Sequence, residues 1–223
     1  MFINQVQKFN YLLVVVFFAI FMTACGGGGS NNTPADDTPA DDTPADETPA
    51  DDTPADDTPA DDTPDFAITS ENYTEGGAIP LLHACENLGG TDASPQYSWS
   101  NPPTGTSSYA IIMDDETPPC GTGAEACVHW ALYNLPSSTT SLVSNVDVST
   151  IDGAVEGYTY DAATIDYAGP CPPNAHTYNT TVYALGAGMT TIGANTTWTS
   201  STFEAEYSDS IIGQAEITGT FTP

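Results

Sequence analysis

The chain has 223 residues, and its 30 carboxylates face a single basic side chain, Lys8, for a formal net charge of −29. This balance excludes nucleic acid as a partner, because a phosphate backbone needs a basic footprint, and excludes docking on an anionic membrane surface.

The first predicted element is the apolar run YLLVVVFFAIFM, residues 11 to 22. It is too short to cross a bilayer, which takes roughly 20 residues, and suits the apolar core of a signal peptide. Met22-Thr23-Ala24-Cys25 followed by Gly26 resembles the lipobox of bacterial lipoproteins, whose cysteine is lipidated and becomes the new N-terminus. That resemblance implies a signal peptide over 1–24 and a lipid anchor on Cys25 in a bacterial cell envelope, with the outer membrane as the expected site. A simple secretory signal is the alternative, and both readings export the protein.

Residues 26 to 32, GGGGSNN, form a flexible joint. Six pentapeptides, five TPADD and one TPADE, then run from Thr33 to Asp62. No unit has an apolar face to bury, so the repeat is no solenoid. Proline favours polyproline II and the carboxylates repel, so at roughly 3 Å per residue the repeat would reach on the order of 90–100 Å. A calcium-binding reading lacks the fixed glycine turn of calcium loops. Residues 25–65 are therefore expected to be a disordered acidic tether. Of the carboxylates, 13 lie in residues 33–65 and 17 in residues 66–223, with no lysine or arginine beside them. Self-repulsion should weaken the compact state at low ionic strength, and a salty or cation-rich setting is expected.

Residues 66–223 are long enough for one domain with a sizeable core. The pattern is mostly strand: SYAIIM (108 to 113), VHWALYNL (128 to 135), YNTTVYAL (178 to 185) and AEITGTF (215 to 221). In the third, Tyr178, Thr180, Val182 and Ala184 share one face, and Asn179, Thr181, Tyr183 and Leu185 the other. Turn-rich pieces such as Asn101-Pro102-Pro103 and Gly121-Thr122-Gly123 separate the runs. One helix is expected late in the chain, capped by Ser201 with Glu204 three residues on. Phe203, Tyr207 and Ile211 would share a face, and Gly213 would end it. The predicted fold is mainly β, an antiparallel β-sandwich with a short helix before the last strand.

Four cysteines remain in the domain: Cys85, Cys120, Cys127 and Cys171. In an oxidising compartment an even number points to two disulfides, and four cysteines allow three connectivities. Cys120 and Cys127 bracket GTGAEA, a short loop that could close on itself, which would leave Cys85 for Cys171. A four-thiolate zinc site would need closely spaced cysteine pairs.

Polar groups concentrate in MDDETPP (113 to 119), in VHW around His129, and in AGPCPPNAHTY (168 to 178). Together with FAITSENYTEGGAIP, SPQYSWSNPPTGTSSYAIIMDD, VHWALYNLP and the closing ITGTF, these blocks resemble the phosphatidylethanolamine-binding proteins, in particular the bacterial Raf-kinase-inhibitor-like branch. The resemblance covers nearly the whole globular part. It implies a large antiparallel sheet packed on a smaller one, with a small pocket for phosphate-like anions and the phosphatidylethanolamine headgroup.

Carried over by position, the resemblance implies ligand-binding roles for Asp114, Glu116 and Pro118, for His129, for Gly169 and Cys171 in the proline-rich wall, and for His176 and Tyr178. His129 and His176 would donate N–H bonds to an anion and Tyr178 would add a hydroxyl, while Asp114 would fix a histidine tautomer or meet an ammonium group. The family's usual proline is replaced by Asp115, and its usual arginine by Thr177. His83 matches no functional position. No cofactor and no catalytic residue is implied.

The expected function is that of a non-enzymatic binding module for a small anionic or zwitterionic ligand. A metal-dependent enzyme using His129, His176 and Asp114 is the alternative, although no HExxH or GxSxG motif is present. The third reading is a modulator of an extracytoplasmic protease or another surface protein.

Overall fold

The computed structural model describes residues 64–161 and 165–223. The expected signal segment, Cys25 and the repeats up to Thr63 lie outside the described residues.

The described chain is mainly β. A small sheet contains β1 (Ala67–Thr69), β3 (Tyr97–Ser100) and β6 (Ser141–Leu142), in the order β1-β3-β6. A larger, six-stranded sheet contains β2 (Gly77–Ala78), β4 (Ser108–Asp115), β5 (Cys127–Pro136), β7 (Val155–Glu156), β8 (His176–Leu185) and β9 (Ile211–Phe221). Its order is β2-β9-β8-β4-β5-β7. Every pairing is antiparallel except β2 with β9, where Gly77–Ala78 runs parallel to Gly219–Thr220. The fully antiparallel expectation is corrected at that edge.

Alternation along β8 sorts its side chains as the sequence predicts. Tyr178, Val182 and Ala184 enter one apolar cluster with Ile68, Tyr97, Trp99 and Leu142 of the small sheet, whereas Tyr183 and Leu185 enter a second cluster with Phe203. The large sheet is thus covered on both faces, which is why β4 is buried along nearly its whole length. Between the sheets, Trp99 meets Tyr109 edge-on with centroids 5.3 Å apart. Tyr97 crosses the same gap: its hydroxyl bonds Tyr73 Oη at 2.8 Å and Thr180 Oγ1 at 3.0 Å, so a buried polar group stays satisfied.

The helix α1 (Ser200–Tyr207) lies on the second face, shifted from the expected frame. Thr199, not Ser201, is its cap. Thr199 Oγ1 accepts from the Thr202 N–H at 3.2 Å, and the Thr202 hydroxyl group accepts from the Thr199 N–H at 3.0 Å. This reciprocal pair is a capping box built with threonine at its third position. Phe203 is buried against Tyr133 and Tyr183, and Tyr207 follows on its face. Ile211 and Gly213 belong to β9, not to the helix. Gly213 lies so close to Pro103 that a Cβ would come within 2.5 Å of that ring.

Two disulfides join Cys85 to Cys171 and Cys120 to Cys127. Among the described residues the one contact of imidazole with carboxyl group within hydrogen-bond reach joins His176 to Asp115. With 17 carboxylates in residues 66–223 and no lysine or arginine there, salt should relieve net repulsion. The urea midpoint is expected to rise between about 10 mM and 1 M sodium chloride, as a Debye length of about 30 Å shrinks to about 3 Å; a midpoint that falls would reject the repulsion argument.

Candidate functional site

The site forms where β4 ends and where β5 and β8 begin. Asp115 pairs with Tyr178 across β4 and β8, and His176 lies two residues before Tyr178 on the same face. In the β4–β5 ladder, Met113 pairs with Trp130 but Asp114 pairs with Val128. His129 is therefore the extra residue of a β-bulge, which re-aims a side chain. The bulge puts Val128 and Trp130 on opposite faces of the sheet despite their even spacing.

These strand ends open into a cavity of about 260 Å³ lined by Asp115, His129, Tyr160, His176 and Tyr178. Pro119, Pro172 and Pro173 add an apolar wall, and Cys120, Cys127 and Cys171 bring both disulfides to its rim. His176 and Asp115 are both buried, and His176 Nδ1 donates to Asp115 Oδ2 at 2.6 Å. Asp115 Oδ1 accepts from the Thr117 N–H at 2.7 Å. The carboxylate thereby fixes the imidazole tautomer and orientation, and His176 Nε2 has no protein partner. His129 Nδ1 donates to the Ala168 carbonyl at 2.7 Å, which leaves Nε2 as its ring nitrogen for a ligand. Burial holds the His129 imidazole below its ordinary value of 6.5, partly offset by that carbonyl. Burial also raises the Tyr178 hydroxyl above its ordinary value, with the Asp115 charge adding to the shift. Tyr178 stays a neutral phenol at physiological pH.

Of the eight residues that the resemblance implied, His129, Cys171, His176 and Tyr178 line this cavity, and the other four do not. Asp114 is corrected to a structural position: alternation turns it to the opposite face of β4, where Oδ2 accepts from the Ser200 N–H at 2.8 Å. It holds the helix N-terminus, and Asp115 is the cavity acid. Glu116 Oε1 accepts from the Gly123 N–H at 2.7 Å and ties the loop to itself. Pro118 gives way to Pro119. Gly169 allows close packing instead: a Cβ there would lie 2.4 Å from the His83 carbonyl oxygen, and its N–H donates to Asp92 Oδ1.

Thr177 points away from the cavity. It is exposed between two buried neighbours, with its N–H bonded to Thr117 Oγ1 at 3.1 Å. His83 is buried in a 3-10 turn, where its Nδ1 donates to Ala93 O at 2.7 Å. Among the described residues no cluster of three His, Cys, Asp or Glu side chains is placed to hold a metal. The His129, His176 and Asp114 set is split by Asp114's position on the other face. Asp115 and Tyr160 were missed at the sequence level. The run of tyrosines at 158, 160 and 167 ahead of the proline wall was the available signal for Tyr160.

The Asp114 carboxylate is raised above its ordinary value of 3.8 by burial, with the Ser200 N–H opposing. An acid whose folded pKa is raised disfavours folding above that pKa, and the penalty is relieved as pH falls through it towards 3.8. Asp114→Asn keeps an acceptor for Ser200 without the buried charge, so its stability at pH 7 should be at least that of the wild type. Asp114→Ala loses the acceptor and should cost about 1–2 kcal/mol. Urea denaturation of both variants checks this; equal losses would refute the capping role.

Comparison with known proteins agrees with this architecture. Residues 69–222 match the family described as phosphatidylethanolamine-binding protein. A UPF0098 protein of Aquifex aeolicus is 31% identical over 156 residues, which span 69% of this chain and 86% of that protein. Escherichia coli YbcL, described as a new member of the mammalian PEBP family, superposes with a TM-score of 0.61 at 27% identity, covering 72% of this chain and 99% of that one. A phosphatidylethanolamine-binding protein homolog from Chlamydia trachomatis gives 0.59 at 27% identity over 71% and 98%. The chain therefore belongs to the phosphatidylethanolamine-binding protein family, in its bacterial branch.

Proposed function

We propose that this protein is a non-enzymatic binding module, exported and held at a bacterial membrane by a lipid on Cys25, that captures a small anionic or zwitterionic ligand such as a phosphate headgroup. The observation that carries the reading is the unpartnered His176 Nε2, buried and held in place by Asp115, at a cavity that His129 also lines. A buried ring nitrogen without a partner forfeits a hydrogen bond that a ligand can restore. The cavity holds no serine or free thiol that could act as a nucleophile beside the imidazoles, which favours binding over catalysis. Tethering rests on the lipobox resemblance, and the acidic repeats would hold the domain clear of the headgroups.

The test is a titration with phosphate, phosphoethanolamine and zinc while the imidazole NMR signals of His129 and His176 are followed. Shifts with the phosphate compounds that vanish in His176→Ala are expected. Stoichiometric saturation by zinc, with no response to either phosphate compound, would overturn the reading in favour of a metal site.

A further inference from the structure

The hydrogen bonds around the two imidazoles define what an anion would find in the cavity. The His129 Nδ1–H is committed to the Ala168 carbonyl, and the His176 Nδ1–H to Asp115 Oδ2. In neutral rings both Nε2 atoms are therefore acceptors. A phosphate dianion brings only lone pairs, so neither nitrogen can bond it without a further proton. No lysine or arginine occurs after Lys8 to supply a fixed charge. The Gly169 N–H of the proline wall is already taken by Asp92 Oδ1 at 2.8 Å. The hydroxyls of Tyr160 and Tyr178, which line the cavity, can donate but carry no charge.

The two rings are not equivalent places for that proton. Burial disfavours a second proton on His129, against the pull of the Ala168 carbonyl and Asp115, and a charge on His176 disfavours it further. His176 instead has a carboxyl group bonded to its Nδ1 at 2.6 Å, and a carboxylate so placed stabilises an imidazolium. Its Nε2 is buried without a protein partner. The titratable groups that share the cavity with it are Asp115 from β4, His129 from β5, Tyr178 from β8 and Tyr160 from the segment after β7. The cysteines at the rim are bonded in disulfides, and β9 pairs apolar Phe221 with His176.

We propose that anion capture is coupled to uptake of a proton by His176, whose doubly protonated ring donates Nδ1–H to Asp115 and Nε2–H to the ligand while His129 stays neutral. This rests on the binding-module reading and adds to it a means of release. The proton comes from the medium, so rising pH withdraws it and frees the ligand. Where one proton enters per ligand bound, affinity falls about tenfold per pH unit.

Calorimetric titration of the full-length protein with phosphoethanolamine at pH 8, in buffers of different ionisation enthalpy, counts the protons taken up. The second pKa of a phosphate ester is about 6, so the free ligand is then nearly all dianion and its own titration does not blur the count. About one proton per ligand is expected, with affinity about tenfold higher at pH 7.5 than at pH 8.5. The nitrogen-15 signal of His176 Nε2 should move into the protonated range on binding, and that of His129 Nε2 should not. His176→Gln, whose amide takes up no proton, should bind at least about tenfold more weakly at pH 7.5 and lose the pH dependence of whatever binding remains; thermal unfolding checks that the variant is folded. Binding without proton uptake, or with a counted proton that is absent from His176 Nε2, would overturn the coupling and leave the binding module standing. Wild-type pH dependence in His176→Gln would overturn the role of His176. Neither heat nor an imidazole shift at any pH from 6 to 8.5 would overturn both the coupling and the binding-module reading.

Discussion

The double variant Cys85→Ser/Cys171→Ser is expected to lose about 4.5 kcal/mol of unfolding free energy. The bond joins residues 86 apart in sequence, and closing a loop of that size removes much of the entropy of the unfolded chain. The same argument assigns only about 2.5 kcal/mol to Cys120–Cys127, whose residues are 7 apart. Denaturant midpoints of the two double variants should therefore fall in that order. The longer bond also holds the proline wall to the segment around His83, where the Cys85 N–H donates to the Pro170 carbonyl at 3.1 Å. Its loss should abolish ligand binding before the protein unfolds globally. A Cys85→Ser/Cys171→Ser protein within about 1 kcal/mol of wild type would show that backbone contacts alone hold the wall.

His176→Ala should cost about 3 kcal/mol and abolish ligand binding. The substitution leaves the buried Asp115 side chain without the hydrogen bond from His176 Nδ1, and a buried polar group stripped of its partner keeps its full desolvation cost. Thr177→Ala, one residue further on, should change stability by less than about 0.5 kcal/mol, since that side chain is exposed. The double variant Asp115→Ala/His176→Ala should recover part of the loss, because neither partner is then stranded. Chemical denaturation of the three variants reads the contrast; a His176→Ala protein no less stable than Thr177→Ala would remove the pair from the account of the fold.

Much of this architecture was legible before any coordinates. The strand runs stood out because their side chains alternate or form continuous apolar stretches, and both patterns depend only on neighbours in sequence. His129, His176 and Tyr178 were legible because they sit in motif blocks whose order survives in the chain. The helix frame was misread for a local reason. Ser201 and Glu204 satisfy the usual capping pattern, but Thr199 and Thr202 make the actual box, and Asp114, distant in sequence, takes the next free N–H.

The choice between Asp114 and Asp115 shows where sequence reasoning stopped. Two adjacent acids end one strand, and a strand turns successive side chains to opposite faces. One must therefore face the cavity and the other the helix. Which does which depends on the sheet face that carries the small sheet, and that is a property of the whole packing. His129 is subject to the same limit, since its aim comes from a bulge set by the register of β4 against β5.

By itself, the sequence determined the acidic character of the chain, the absence of lysine and arginine beyond Lys8, the main strands and the family. These follow from composition, local periodicity and the order of motif blocks. Only the tertiary structure decided which acid enters the cavity, that Tyr160 joins it, and that Thr177 faces away from it. Those outcomes depend on sheet register and on which face each strand buries, and both are set by contacts between residues far apart in the chain.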